Sequence, residues 1–356
     1  MRRGWTTGAC AAAAARAAFA ALLTGHFPDP VTIRLPRGQT PNFPLALAEQ
    51  SDGRACAGIV KDAGDDPDVT HGALIVAELA WAAPGSGILF RAGEGVGTVT
   101  RPGLALAVGE PAINPAPRAM IRETLADLAE ANGAPSPDLV VTIAIPGGER
   151  LAEKTMNGRL GIVGGLSVLG TTGIVVPYSC SSWIHAIQSG IDVARAAGFA
   201  HIAAATGTTS ERAVQRLYNL PEAALIDMGD FAGGTLKYLR RHPVPRLTLA
   251  GGFAKLAKLA QGHLDLHSSR SRLDAAAIAD LLAGLGADPA TVSAAAEAES
   301  AGAILELAGD RRAALAAAIA RQAREVALAT LSGATAVEIA VVDRVGDFLA
   351  RVGAEA

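Results

Sequence analysis

Beyond Ser179 the chain alternates helical and strand-like segments in an order that leaves little topological choice. A helix over 182–197 is followed by the strand HIAAATG (201–207), a helix over 209–219, the strand AALIDMG (223–229), a helix over 233–241, the strand RLTLAGG (246–252) and a helix over 253–262. Helical runs continue to Leu331, and VEIAVVDR (337–344) offers a last strand. Strands with a helix between each pair imply βαβ crossovers and a parallel sheet.

The first half has a different rhythm. A capped helix from Thr6 or Thr7 to Gly25 precedes short strand-like runs at 31–35, 44–50 and 54–60; GALIVAELAWA (72–82) reads as strand or helix. Residues 87–92 and 98–108 read as strands around a glycine cluster, Pro117 to Asn132 as a helix, and DLVVTIAI (138–145) as a buried strand. The expected fold is therefore α+β and α/β: a mixed α+β domain over 1–178 and a parallel-sheet, Rossmann-like α/β domain over 179–356, with no internal repeat.

Composition narrows the class. Only 4% of residues are aromatic while 40 are glycine, so packing has to rely on close backbone approach. A net charge of -3 with both signs interspersed argues against a broad nucleic-acid surface. Cys10, Cys56 and Cys180 form no C-x-x-C pair, which suggests neither a disulfide framework nor a zinc site and fits a reducing cytoplasm. The apolar N-terminal run is interrupted by Arg16 and reads as a capped helix rather than a signal peptide, and the uncharged stretch from Leu160 to Ile191 is too rich in glycine and hydroxyls for a membrane helix. A soluble protein is expected.

Several stretches could carry chemistry. KDAGDDPDVTHG gathers Asp62, Asp65, Asp66 and Asp68 between Lys61 and His71, without the spacing of a calcium loop; on spacing alone it is a solvated acidic turn. His71 and His185 are candidate bases or polar packing residues, and Cys180 has no evident activating base. GTTSERA places Gly207 in a tight turn, Thr208 or Ser210 as a cap and free helix amides toward an anion, with Asp227 at the end of the next strand suited to ribose hydroxyls. GEGVG (Gly93, Gly95, Gly97) is not a phosphate loop, because TVTRPGLAL cannot open a helix after it; a ligand approaching the backbone and a structural bulge both remain open. GGLSVLGTTGIVVP offers Gly165, Gly170, Thr171 and Thr172 as pocket walls.

Taken together, RGWTTGACAAAAARAA, KDAGDDPDVTHG, AGEGVGTVTRPGL through GEPAINPAPR, KTMNGRLGIVGGLSVLGTTGIV and GGFAKLAKLAQGHLDLHSSRS resemble the cobalt-precorrin-5B (C(1))-methyltransferases of cobalamin biosynthesis, in that family's order. The departure is Val176, where the family commonly has an acidic residue before the proline. The resemblance implies methyl transfer from S-adenosyl-L-methionine to C1 of a cobalt corrinoid, giving cobalt-precorrin-6A, on a fold unlike the usual tetrapyrrole methylases. The cobalt would belong to the substrate, with no protein-bound metal. Substrate carboxylates would need placed cations, for which Lys61, Arg101, Arg118, Lys154, Arg159, Lys255, Lys258 and Arg270 are candidates, with Thr6 and Thr7 as further substrate contacts. Asp62, Asp65, Asp66, Asp68 or His71 would take the proton lost by the methylated macrocycle. Gly93, Gly95, Gly97, Gly165, Gly170, Thr171, Thr172, Gly207, Thr208 and Asp227 are the candidates for the methyl donor. Neither nucleic acid nor membrane is an expected partner, and a homo-oligomer is left open. A non-catalytic corrinoid-binding protein and a nucleotide-dependent oxidoreductase are the rival readings.

Overall fold

The structure, a computed structural model, describes residues 1–353 and has two units, residues 1–180 and a second from Ser181 onward. Unit 1 runs β1 (Gly4–Trp5), α1 (Thr7–Thr24), β2 (Val31–Thr32), β3 (Asn42–Phe43), β4 (Leu47–Ser51), β5 (Arg54–Val60), β6 (Leu74–Trp81), β7 (Ile88–Ala92), β8 (Thr98–Val99), α2 (Pro115–Ala131), β9 (Leu139–Ala144), α3 (Gly148–Ala152), β10 (Ile162–Val163) and β11 (Ile174–Val175).

Thr6 starts α1: in an extended conformation, its Oγ1 accepts the Ala9 N–H at 3.2 Å. Gly25, at φ +76°, ends the helix by returning its N–H to Ala21. Between these caps the alanines hold nothing away from the backbone, so α1 lies buried against β5, β6 and α2. The N-terminal apolar run is thus the central rod of a core that also contains Phe19, Ile59, Ile75, Leu79 and Ile143. The sheet beside it has the order β4-β5-β6-β9-β7, antiparallel except for β7 on β9. Residues 72–82 resolve as strand because β6 pairs on both sides, with β5 and β9. The strand expected over 98–108 shrinks to β8, which pairs with β10. Pro102 has no N–H for a ladder and Gly103 stands at φ +108°, so the chain turns away.

Unit 2 contains α4 (Cys180–Ala196), whose first residue is the junction, then β12 (His201–Ala205), α5 (Thr208–Tyr218), β13 (Leu225–Asp227), α6 (Ala232–Arg241), β14 (Arg246–Gly252), α7 (Phe253–Ala260), α8 (Ala275–Gly284), α9 (Pro289–Ala296), α10 (Ala301–Leu307), α11 (Arg312–Leu331), β15 (Ala336–Val342) and β16 (Phe348–Val352). The sheet order is β13-β12-β14-β15-β16; the first four strands are parallel and β16 returns antiparallel. The second strand in sequence lies on one side of the first and the third on the other. The strand order therefore reverses across the β12/β14 boundary, so the connections leave these two parallel strands in opposite directions and a crevice opens at their carboxyl ends.

At the opposite end of β15 the Glu338 carboxylate is 1% exposed and takes hydrogen bonds from Tyr218 Oη (2.5 Å), Thr248 Oγ1 (2.9 Å) and Arg351 Nε (3.0 Å). His201 Nε2 sits 2.8 Å from Thr248 Oγ1 and its ring meets Tyr218 edge-on. A buried carboxylate needs this many partners to stay charged.

Candidate functional sites

In unit 1 three stretches far apart in sequence are stitched together around the acid loop. A Cβ on Gly4 would lie 2.0 Å from the Ala63 carbonyl carbon, and one on Gly64 would lie 2.3 Å from the Arg2 oxygen, so β1 passes flush over the loop only because both residues are glycine. Trp5 N–H donates to the Asp62 carbonyl at 2.7 Å and Asp65 N–H to the Arg2 carbonyl at 3.0 Å. On its other side β1 pairs with β11, Thr6 N–H reaches Gly173 O at 3.0 Å and Gly8 N–H reaches Leu169 O at 3.0 Å. Gly170 packs onto Thr6, where a Cβ would stand 2.3 Å from Oγ1. The capping Thr6, the four aspartates and the Gly170–Thr172 loop thus form one neighbourhood.

Within it the aspartates differ. Arg2 clamps Asp62 with both guanidinium ends, and Gly64 N–H adds a bond at 2.9 Å. These contacts, the arginine first, hold the Asp62 carboxyl down to about 2, a poor pKa for a base working near neutrality. Asp68 binds Lys61 Nζ at 2.5 Å and Thr70 N–H and Oγ1 at 2.8 and 2.6 Å. Burial pushes the Asp68 carboxyl up, but Lys61 and Thr70 outweigh it and the net shift is downward. Lys61 itself is 3% exposed, so its ammonium faces Asp68 and Thr70 rather than any substrate carboxylate, contrary to expectation. His71 Nδ1 accepts the Ala63 N–H at 3.1 Å; the neutral ring therefore carries its proton on Nε2 and has no free lone pair while that bond holds. Asp65 takes Arg2 N–H through Oδ2 at 2.5 Å, and Asp66 takes Tyr178 N–H through Oδ1 at 2.8 Å. Among the described residues neither makes a further hydrogen bond through its second carboxylate oxygen. Beside the loop, burial pushes the Cys10 thiol up to about 12, which rules it out as a nucleophile.

The glycine cluster has a structural reason. A Cβ on Gly95 would stand 1.9 Å from Ile145 O, one on Gly165 2.3 Å from Gly95 O, one on Gly97 2.5 Å from Ile162, and one on Gly93 2.9 Å from Ala144. The atoms that crowd these glycines on that side, backbone at Gly95 and Gly165 and side chain at Gly97 and Gly93, are the protein's own. Arg118 is spent on the scaffold as well, through Ile113 O (2.7 Å), Pro111 O (3.1 Å) and Glu110 (2.6 Å). Arg101 reaches the Arg159 carbonyl at 3.4 Å, so these two lie together, and Lys154 is exposed.

In unit 2 a cavity of about 670 Å³ opens at the β12/β14 crevice. Thr206–Ser210 and Gly252–Lys255 line it from the first turns of α5 and α7, Ser300–Gly302 and Arg312 from the helical segment, and Asp343–Val345 from the turn after β15. Gly207 and Gly252 are the N-cap residues and make no side-chain cap, so first-turn N–H groups face the cavity. The expected hydroxyl cap is absent: Ser210 Oγ instead donates to Gly207 O at 2.8 Å. Asp227 is not among the lining residues. It ends β13, on the far side of β12 from β14, and its carbonyl accepts Trp183 Nε1–H at 3.2 Å. Lys255 lines the cavity but is ion-paired with Asp230, while Lys258 Nζ donates to Leu266 O at 3.1 Å and Arg270 pairs with Asp265 at 3.2 Å. His185 is exposed on α4. Arg312, Asp343 and Arg344 escaped sequence reasoning, although the turn after a fourth parallel strand points to the same crevice as the turns after the first and third. Among the described residues no group of three or more His, Cys, Asp or Glu is placed to hold a metal ion.

A family model described as CbiD matches residues 1–177, and one described as CbiD, C-terminal domain matches residues 265–353. The chain is 59% identical over 353 residues to a cobalt-precorrin-5B C(1)-methyltransferase of Brucella anthropi, covering 99% of this chain and 96% of that protein. It is 60% identical over 347 residues to a protein of the same name from Paramagnetospirillum magneticum, covering 97% and 96%. A crystal structure of the cobalamin biosynthesis protein (cbiD) from Archaeoglobus fulgidus is similar at 29% identity, covering 76% of this chain and 83% of that one with a TM-score of 0.40.

Proposed function

This chain belongs to the CbiD family, and from that membership we propose that it methylates C1 of cobalt-precorrin-5B to give cobalt-precorrin-6A, with S-adenosyl-L-methionine as donor. The observation that carries the reading is identity of 59–60% along nearly the whole chain to relatives bearing that name. The reaction is a displacement: a ring carbon attacks the donor methyl in line with its sulfur, the sulfonium leaves as a neutral thioether, and the methylated macrocycle then gives up a proton. Aligning carbon, methyl and sulfur can supply about 7 to 11 kcal/mol of the barrier.

The donor goes to the cavity of unit 2, which we read as a Rossmann-like α/β domain over 179–356 following a mixed domain over 1–178. Support comes from the strand order and from a volume of about 670 Å³, within the usual range for small-molecule sites. The first-turn N–H groups of α5, from Gly207 and Thr208 on, and of α7 suit the donor's carboxylate, with Arg344 beside them; Asp343 takes the ribose role first expected of Asp227. In unit 1 the open oxygens of Asp65 and Asp66 are the base. Asp62 and Asp68 are held as anions by Arg2 and Lys61, and Thr6, buried like Thr7 and so turned from any substrate, anchors Gly170 beside them. Substrate carboxylates fall to the exposed Arg101 and Lys154. Cobalt enters with the substrate. We place the enzyme in the cytoplasm, acting on a small corrinoid.

Calorimetric titration with S-adenosylhomocysteine, with NAD(P)H in parallel, tests the reading. Saturable binding of the homocysteine compound alone supports it. Binding of NAD(P)H alone favours an oxidoreductase, and binding of a corrinoid with no affinity for S-adenosylhomocysteine favours a carrier.

A further inference from the structure

Three non-glycine residues among those described have positive φ: Tyr178 at +57°, Asn219 at +48° and Ser332 at +51°. Asn219 and Ser332 are the left-handed C-caps of α5 and α11, where that conformation closes a helix. Tyr178 closes no helix. A residue with a Cβ is strained there, and an aromatic one has no local hydrogen bond to compensate. Burial does not compensate either, since Tyr178 is 67% exposed. Its N–H is tied to the acid loop, where Asp66 Oδ1 accepts it at 2.8 Å across 112 positions of sequence.

The surroundings are unusual in the same direction. Val176, two residues earlier, is 50% exposed; Val69, on the acid loop itself, is 37% exposed; Leu169, whose carbonyl takes the Gly8 N–H, is 51% exposed. Large apolar side chains thus stand in water beside a loop whose aspartates are turned toward internal partners. Exposed apolar side chains on these neighbouring segments suit the face of a flat, largely apolar ring whose charged groups lie at its rim.

We propose that Tyr178 is a substrate-binding residue whose ring stacks on the corrinoid macrocycle, and that Asp66 acts through it as a positioning residue. The proposal rests on the methyltransferase reading. Asp66 then has two tasks on two oxygens: Oδ1 sets the aromatic ring and Oδ2 faces the bound macrocycle.

The test is titration of the full-length protein with dicyanocobyrinic acid, a stable corrin with free side-chain carboxylates, alongside thermal unfolding. Tyr178→Gly should bind about tenfold more weakly, the loss of roughly one well-placed aromatic contact. Its melting temperature should be unchanged or higher, because glycine accepts φ +57° without strain. Tyr178→Phe should bind within about twofold of the unsubstituted protein. Asp66→Ala should weaken binding as Tyr178→Gly does, while Asp66→Asn, which retains an acceptor oxygen, should restore it. With methylation assayed, Tyr178→Gly should raise KM more than it lowers kcat. Equal affinity of Tyr178→Gly and the unsubstituted protein overturns the inference alone. Tyr178→Phe binding as weakly as Tyr178→Gly overturns stacking in favour of the hydroxyl. If the unsubstituted protein does not bind the corrin, the inference falls together with the reading beneath it.

Discussion

Lys61 and Asp68 face each other at 2.5 Å beneath the acid loop, with the lysine side chain 3% exposed and the aspartate 22%. A buried ammonium persists only with such a partner, and removing it leaves an uncompensated carboxylate. Lys61→Met should therefore cost about 3 kcal/mol of stability, read by urea denaturation. A Lys61→Met/Asp68→Asn double variant should recover much of that loss. A single variant as stable as the parent would remove Lys61 from its structural role.

The base assignment is tested by exchanging both open carboxylates. The Asp65→Asn/Asp66→Asn variant should retain corrin affinity, because the amide oxygen introduced at position 66 still accepts the Tyr178 N–H, yet lose about 10²- to 10⁴-fold in methyl-transfer rate. Full activity would return the proton transfer to solvent or to His71.

Donor binding separates the two acids of unit 2. Arg344→Ala and Asp343→Asn should each weaken S-adenosylhomocysteine binding by about tenfold, the size of one charge-assisted contact. Asp227→Asn should leave the affinity unchanged. The reverse pattern in calorimetry would move the donor out of the cavity.

The Glu338 cluster makes unit 2 sensitive to acid. Burial, then the nearby Arg246, pushes His201 down to about 4 from its ordinary value near 6.5. The unfolded chain takes up this proton below about pH 6.5 and the folded chain refuses it until about pH 4. Stability should fall between those values as pH is lowered and level off below them. Melting temperature recorded across pH 4–7 in the parent and in His201→Gln checks this. The substituted protein should show a flatter profile in that window.

Gly95→Ala should prevent folding or cost about 3 kcal/mol or more, because its Cβ would sit 1.9 Å from Ile145 O at φ +71°. Soluble yield and circular dichroism read the outcome. Normal yield would mean that the glycine cluster has room to spare, and with it room for a ligand.

Much of the order of elements was legible, since α1 carries Thr6 and Gly25 at its ends and the βαβ alternation fixes the direction of β12, β13, β14 and β15. The acid loop was visible as a cluster, but not the division of labour within it. That division depends on Arg2 and Tyr178, which lie 60 and 112 positions from the aspartates they bind and reach them only through backbone pairings such as Gly4 with Val175. Asp227 lies away from the cavity because β13 takes the far side of β12 from β14, and strand ends read in sequence order say nothing about which side the next strand takes. Of the two readings the sequence left open for the glycines, close backbone packing is the one with partners in the fold: a Cβ on Gly165 would stand 2.3 Å from Gly95 O.

The alanine rod α1 also has a consequence in time. It leaves the ribosome before its partners β5 and β6, which end only at Val60 and Trp81, and it is 18 residues long and apolar enough to span a bilayer. Until those strands have been made, the nascent chain displays the feature by which export and insertion machinery selects its clients. Pairing of β5 with β6 builds the surface that covers this helix, so variants that weaken the hairpin should lower the yield of folded protein.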